Sequence, residues 1–268
     1  MAEPVLERSE GPILVVTLNE PDRANPLSAA TVTGLSEVLE RAASDEAVRA
    51  VIVTGAGRHF SAGADLEALE RIAEAGDEAE IHNDAERVRR LFEILLGHPK
   101  LTVAAVHGAA VAGGCGLATA CDLVVAEPGA RFAYTEVKIG FLAAIVSTFL
   151  IRRVAGHVAR RMLLDPEMVD GARAVEIGLA DELAPAGEAL EVATVLARSV
   201  CSKASPSALA ATKELLNETV GLGWREALEV AAAANIRQRM HPECGRGVRA
   251  FLETKSTPDW LDEGEGTE

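Results

Sequence analysis

Short apolar runs alternate with helical patterns along the first half of the chain. Four runs rich in Val, Ile and Leu are typical of buried strands: residues 13–19, 49–57, 101–108 and 122–127. Between the first two, Ser28 can cap a helix whose apolar positions share one face, namely Val32, Leu35, Val38 and Leu39. This order of strand, helix and strand predicts an α/β fold with a parallel sheet and right-handed crossovers.

The second half of the chain changes to helical periodicity. Residues 142–164 look helical, and further helices are predicted over residues 189–200, 207–219, 224–240 and 243–253. A charged, poorly periodic segment over residues 67–83 favours a surface flap, followed by a helix over residues 86–96. We therefore expect a core domain over residues 1–200 and a helical C-terminal region over residues 201–268.

Composition narrows the function classes. The formal net charge of −15 argues against a nucleic-acid partner and against an anionic membrane surface. The four cysteines have neither C-x-x-C spacing nor a nearby histidine ligand, so no metal and no disulfide are expected. The start of the chain lacks an apolar signal core, which favours a cytoplasmic location. An anionic ligand would need local cations, for which the candidates are Arg23, Arg58, Lys100, Lys138 and Lys255.

Two glycine-bearing turns follow apolar strands and precede helices: SAGAD (residues 61–65) and VAGGCG (residues 111–116). Such turns gather at the carboxyl ends of strands, where they point free backbone N–H groups towards a ligand. Two of them side by side could form an oxyanion hole. Neither matches a dinucleotide, Walker or nucleophile-elbow motif. Spacing alone leaves open that these glycines only permit close helix–strand packing.

Three blocks in register resemble the enoyl-CoA hydratase/isomerase family, also called the crotonase family. The blocks are AVIVTGAGRHFSAGADL, VAAVHGAAVAGGCGLATACDLVVAE and RFAYTEVKIGF, and the resemblance extends from about Val15 to Trp260. It implies a spiral of ββα units with a helical C-terminal trimerisation region. It also implies an acyl-CoA thioester substrate, a homotrimer or dimer of trimers, and no cofactor, because coenzyme A is part of the substrate.

The resemblance also assigns residues to roles. The oxyanion donors are the backbone N–H groups of Ala64 and Gly113, and the catalytic carboxylate is Glu136. Hydratases of the family usually carry a second glutamate at the position of Gly116, so one carboxyl group is missing here. Contacts with coenzyme A or the acyl chain are implied for Arg23, Ala24, Ala62, Asp65, Leu66, Gly116, Leu142, Ile145, Phe251 and Lys255, the last two from a neighbouring subunit.

A single carboxylate leaves three functions open. TEVKIGF is similar to bacterial members resembling 3-methylglutaconyl-CoA hydratase, which favours hydration of an enoyl-CoA with a branched or otherwise unusual acyl chain. One glutamate is also enough for a Δ3-Δ2 enoyl-CoA isomerase. A non-catalytic acyl-CoA-binding protein is the third alternative. If Tyr134, Glu136 and Lys138 lie on one strand, they share a face, and either neighbour could tune the pKa of the glutamate.

Overall fold

A computed structural model describes residues 3–262 of the chain, so residues 1, 2 and 263–268 of the expected regions lie outside the described residues. Within residues 3–262 the strands are β1 (Val5–Glu10), β2 (Ile13–Leu18), β3 (Pro26–Leu27), β4 (Ala50–Gly55), β5 (Gly63–Ala64), β6 (Leu101–Val106), β7 (Ala109–Val111), β8 (Leu123–Ala126), β9 (Arg131–Ala133), β10 (Val169–Asp170) and β11 (Glu182–Leu183).

Helices surround these strands and dominate the C-terminal part. They are α1 (Ala29–Ser44), α2 (Leu66–Ala75), α3 (Glu78–Leu96), α4 (Gly113–Ala120), α5 (Ala144–Arg153), α6 (Gly156–Leu164), α7 (Gly171–Glu176), α8 (Ala189–Lys203), α9 (Pro206–Thr219), α10 (Trp224–Met240) and α11 (Pro242–Thr254). Two 3-10 helices cover Pro21–Arg23 and Glu136–Ile139.

The strands repeat one unit along the chain. A long strand joins a six-stranded sheet of order β1-β2-β4-β6-β8-β11, a short strand joins a smaller sheet, and a helix follows. The short strands form the β3–β5 pair and the sheet β10-β9-β7. All pairs in the large sheet are parallel except β1 with β2. The α/β prediction is therefore confirmed. The four predicted strands are β2, β4, β6 and β8, whereas the mostly exposed β1, the two-residue β11 and the short strands of the smaller sheets were not predicted.

Both faces of the large sheet are covered, which explains why its strands are continuously apolar. Every residue of β4 and β6 is buried. On one face Val51 and Val53 belong to the main core beneath α1, α3 and α4. On the other face α8 presents small side chains four residues apart, which let the helix lie close to the sheet: Ala189, Ala193, Ala197 and Cys201.

The segment expected to be a flap is helical. Residues 66–75 form α2, and the remainder of the segment begins α3. Asp65 and Asp77 cap the two helices through side-chain bonds to backbone N–H groups, and Gly76 ends α2 with φ 63°. Its apolar residues Leu66, Leu69 and Ile72 recur at helical spacing, although no residue of α2 is buried. The caps and this spacing therefore both indicate a helix, which the flap prediction missed.

The C-terminal helices have little core of their own. No residue of α9 or α11 is buried, and α10 buries only Ala234. The expected boundary after residue 200 lies inside α8, so the division into two regions stays a prediction. Over residues 3–262, none of the helices combines the length and the apolar character that crossing a bilayer requires.

Arg153 connects α5 with two turns of the sheet. Its guanidinium donates to the carbonyls of Leu179 (2.7 Å) and Cys121 (2.9 Å) and pairs with Asp181. We expect Arg153→Met to lower the free energy of unfolding in urea by about 3 kcal/mol, since charged donors are lost at buried carbonyls. Arg161→Met is the control: its exposed pair should contribute less than about 1 kcal/mol. Equal losses would contradict this account.

Candidate active site

A cavity of about 420 Å³ opens where the short strands β3, β5, β7 and β9 end. Five residues that the sequence assigned to ligand binding or oxyanion stabilisation line it: Arg23, Ala62, Ala64, Asp65 and Leu66. Ala112 and Glu136 line it as well. The structure therefore brings residues from three separate blocks of the sequence to one wall.

The two glycine turns are in contact. The backbone of Ser61 binds Ala109 through its N–H and Val111 through its carbonyl, each at 3.0 Å. A Cβ on Gly63 would lie 2.5 Å from the Val111 carbonyl oxygen and 2.9 Å from the Gly113 nitrogen, so no side chain fits there. A Cβ on Gly113 would lie 3.8 Å from the Ala64 nitrogen. The two turns therefore bring the backbones of Ala64 and Gly113 close together, and their role as oxyanion donors stays a prediction.

Helix α4 begins at the cavity wall in an unfavourable backbone conformation. Ala112, the residue before the helix, has φ 51° and ψ −126°, which residues with a Cβ rarely adopt. Such strain has a free-energy cost of about 1–3 kcal/mol and concentrates at functional sites. The conformation of Ala112 places the Gly113 N–H at the N-terminus of α4, where first-turn N–H groups have no acceptor within the helix.

Asn25 supports the turn over residues 61–65 through hydrogen bonds, and the sequence analysis did not identify it. Its side chain is 1% exposed, donates to the carbonyls of Ala56 (2.9 Å) and His59 (2.8 Å), and accepts from the Glu20 N–H. The Ser61 hydroxyl donates to the Asn25 carbonyl at 2.7 Å. The available signal was an asparagine in a turn, since Asn tolerates the left-handed φ of 53° found here.

Glu136 is the buried carboxylate of the cavity. It begins the 3-10 helix, is 7% exposed, and its Oε2 atom is buried without a hydrogen-bond partner among residues 3–262. Burial raises the pKa of Glu136, although the backbone N–H groups of Glu136 and Thr135 act in the opposite direction. An unsatisfied, buried carboxylate at a cavity wall is suited to accept a proton.

The idea that Tyr134, Glu136 and Lys138 share a strand face is wrong. Strand β9 ends at Ala133, and the chain then turns into the 3-10 helix. Tyr134 is consequently buried and Lys138 exposed, so the two lie in different environments. Lys138 still lines the cavity.

Val146 occupies the space above Gly116. Gly116 is buried inside α4, and a Cβ there would lie 2.2 Å from Val146 Cγ1. A second carboxylate at this position would therefore need the Val146 side chain to shift. The cavity lining does not include Gly116, Leu142 or Ile145, and Leu142 is 70% exposed. The apolar lining consists of other side chains: Leu66, Leu69, Ile139 and Phe141.

Arg23 already has acidic partners. Its guanidinium pairs with Asp65 (2.8 Å), Glu20 (3.0 Å) and Glu67 (3.2 Å). Burial alone would raise the pKa of Asp65, but bonds from Arg23 and the Ala68 N–H hold it below its usual value. Arg23 therefore fixes the start of α2 beside the first turn, and its charge is largely compensated.

Four further assigned residues lie outside the cavity lining. Gly113 is one of them, although its neighbour Ala112 lines the cavity. Ala24 has φ 58°, and its carbonyl accepts from the Ala62 N–H at 2.8 Å, so it supports the first turn. Phe251 and Lys255 are exposed at the end of α11. A ligand role for these two needs a neighbouring subunit and stays a prediction.

Comparisons with known proteins agree with this geometry. The model of the enoyl-CoA hydratase/isomerase family matches residues 8–263. A Thermus thermophilus protein, provisionally named an enoyl-CoA hydratase, is 45% identical over 94% of this chain and 98% of its own. The 2,3-dehydroadipyl-CoA hydratase of Escherichia coli is 35% identical over 97% and 99%. The crystal structure of an enoyl-CoA hydratase from Polaromonas sp. superposes with a TM-score of 0.88 at 31% identity, covering 95% and 98%.

The contact between Gly116 and Val146 allows a stability test. Alanine is favoured over glycine in a helix by about 1 kcal/mol, so Gly116→Ala would stabilise α4 if space allowed. Because of the 2.2 Å approach, we expect a loss of about 1–3 kcal/mol in urea unfolding instead. Adding Val146→Ala should recover part of it. Gly156→Ala, with no neighbour within 4 Å, is the control and should be neutral or stabilising. Additive effects at Gly116 and Val146 would contradict the interpretation.

Proposed function

The chain belongs to the enoyl-CoA hydratase/isomerase family of enzymes, and we propose that it adds water across the α,β double bond of an acyl-CoA thioester. The observation that carries this proposal is the buried carboxylate of Glu136, which lines the same cavity as Ala64 and has no partner on Oε2 among the described residues. A structural carboxylate would be paired, because an unpaired buried one is costly.

The two turns stabilise the charge that develops during the reaction. When a nucleophile adds at the β-carbon, electron density moves to the thioester oxygen and gives an enolate. The N–H groups of Ala64 and Gly113 donate to that oxygen, and both are fixed before the substrate binds. They therefore favour the enolate over the neutral carbonyl. Loss of one such donor typically raises the barrier by about 3 kcal/mol.

Glu136 moves the proton. The ionised carboxylate accepts a proton from water as the water oxygen bonds to the β-carbon and the π electrons form the enolate. The protonated carboxyl then returns that proton to the α-carbon, and the thioester carbonyl forms again. One carboxylate thus begins and ends the cycle ionised, and no second acid is required.

Isomerisation is the second candidate, and the Gly116–Val146 contact favours it. With Val146 in the space of the second carboxylate, fewer groups remain to hold a water molecule. The same Glu136 could take a proton from the α-carbon and return it to the γ-carbon. A 2-enoyl-CoA and a 3-enoyl-CoA, each offered alone, separate the two reactions by their products. A non-catalytic role would give binding of both without turnover.

We also propose a branched or otherwise unusual acyl chain. The E. coli relative is named for 2,3-dehydroadipyl-CoA. One carboxyl group of that acyl chain forms the thioester, and the other is a free carboxylate at the chain end. Lys138 lines the cavity, and none of the ion pairs among residues 3–262 includes it, which leaves its ammonium available for an acidic chain end.

Oligomerisation would complete the site. The exposed apolar side chains of α9, α10 and α11 include Leu216, Trp224, Leu228, Ile236, Met240, Val248, Phe251 and Leu252. We propose that these helices join three copies, or two trimers, and that Phe251 and Lys255 reach a neighbour's coenzyme A. The protein needs no cofactor beyond that substrate in this scheme and works in the cytoplasm.

Replacing Glu136 by glutamine should separate activity from stability. We expect kcat to fall about a thousandfold, as for other lost acid–base groups, while coenzyme A binding is retained. Because the pKa of Glu136 is raised in the folded state, protonation stabilises the fold, and this contribution is lost as pH rises through that pKa.

At pH 7 the unfolding midpoint of Glu136→Gln should therefore lie at a higher urea concentration than that of the wild type. This difference between the two midpoints should vanish at pH values below the ordinary glutamate pKa of about 4.3. Glu37→Gln, on the exposed face of α1, should change neither quantity. Near-native turnover of Glu136→Gln would show that another group is the base.

Lys138→Met tests the acyl-chain proposal. For an enoyl-CoA ending in a carboxylate, we expect KM to rise about tenfold, since one charge-assisted hydrogen bond is lost. For a neutral chain of equal length, KM should change less than about twofold. Equal increases for both substrates would place Lys138 at the phosphates of coenzyme A instead.

A further inference from the structure

Tyr134 is the chain's single tyrosine, and it lies two residues before Glu136. Its side chain is 1% exposed, and its hydroxyl lies 3.0 Å from Thr119 Oγ1, which is also buried. The Thr119 hydroxyl donates to the Cys115 carbonyl at 2.9 Å. Either hydroxyl can supply the proton of the Tyr134–Thr119 bond, and both groups are buried.

This pair connects the two halves of the site. Thr119 belongs to α4, the helix that begins with Gly113, whereas Tyr134 belongs to the segment that carries Glu136. A hydrogen bond from the Ala112 N–H to the Ala133 carbonyl (2.8 Å) joins the same two segments. Ala112 directly precedes Gly113, and Ala133 directly precedes Tyr134. Beyond Glu136 the chain is exposed from Val137 to Leu142. Tyr134 is thus the last buried side-chain anchor before the carboxylate.

Glu136 depends on such an anchor because its Oε2 atom has no partner among the described residues that could hold the carboxylate directly. Its position is set mainly by the backbone that carries it. We propose that Tyr134 and Thr119 are positioning residues that hold Glu136 at a fixed distance from the N–H groups at the start of α4. This inference rests on the proposed function, because it assumes that both groups act on one substrate.

The test compares Tyr134→Phe, Thr119→Val, their double variant and Thr119→Ser. The first two keep the shape of each side chain and remove the bond between them. We expect each to lower kcat for enoyl-CoA hydration about tenfold or more, because small displacements of a reacting group are costly. KM should stay within about twofold. The double variant should be no slower than the singles, as coupled residues require. Thr119→Ser keeps the hydroxyl and should restore the rate.

The pH dependence distinguishes positioning from general stability. If the Glu136 segment loosens, water reaches the carboxylate and its pKa falls, so the acid limb of kcat should move to lower pH. The control is Thr102→Val, which removes a buried hydroxyl bonded to Asp122 at the start of β6. It should lower stability without moving kcat or the acid limb.

Hydrogen–deuterium exchange provides a readout that needs no turnover. Residues 134–141 should exchange faster in Tyr134→Phe and Thr119→Val than in the wild type or Thr102→Val. Two results would overturn the inference. One is exchange that does not change in either variant. The other is an active wild type together with two variants that keep its kcat and its acid limb. A wild type inactive on every enoyl-CoA would overturn the proposed function alone, because exchange would still report whether Tyr134 holds the segment.

Discussion

The close approach of two strand-to-helix turns is the constraint on which the site depends. Gly63 lies so near Val111 and Gly113 that a single Cβ would separate them. Ser61 joins the turns by paired backbone bonds, and a Cβ on Gly114 would lie 2.4 Å from the Ser61 carbonyl oxygen. The parallel strands β4 and β6 bring these turns to one edge of the sheet. The repeated strand–strand–helix unit of the family is the framework that makes this contact possible.

The site contains features that disfavour folding. Ala112 has a strained backbone, and Glu136 is buried without a partner on Oε2 among the described residues. Nearby groups with satisfied hydrogen bonds offset this free-energy cost. The main ones are Asn25, which supports the first turn, and the Tyr134–Thr119 pair, which supports the second. The large sheet, buried on both faces, supplies the stability that permits both features. Strain and an unpaired charge are expected where a reaction requires fixed groups.

Much of the fold could be predicted because buried parallel strands and amphipathic helices have strong patterns. The helix α2 was missed because it buries no side chain and is rich in charged residues, although its caps and the spacing of Leu66, Leu69 and Ile72 indicate it. Sequence motifs located the glycine turns and Glu136. They could not show that Val146 fills the space over Gly116, because that contact joins residues thirty positions apart. Asn25 was missed for the same reason: its partners come from a different turn.

The central claim is that one buried carboxylate, Glu136, performs the proton transfers beside two backbone donors. The most direct measurement is the pH dependence of kcat/KM for an enoyl-CoA, which reports the ionisations of the free enzyme. The account predicts a single ionisation on the acid side, with a midpoint above the ordinary glutamate value of about 4.3. A bell-shaped profile that falls again before neutrality, or a midpoint at the ordinary value, would contradict it.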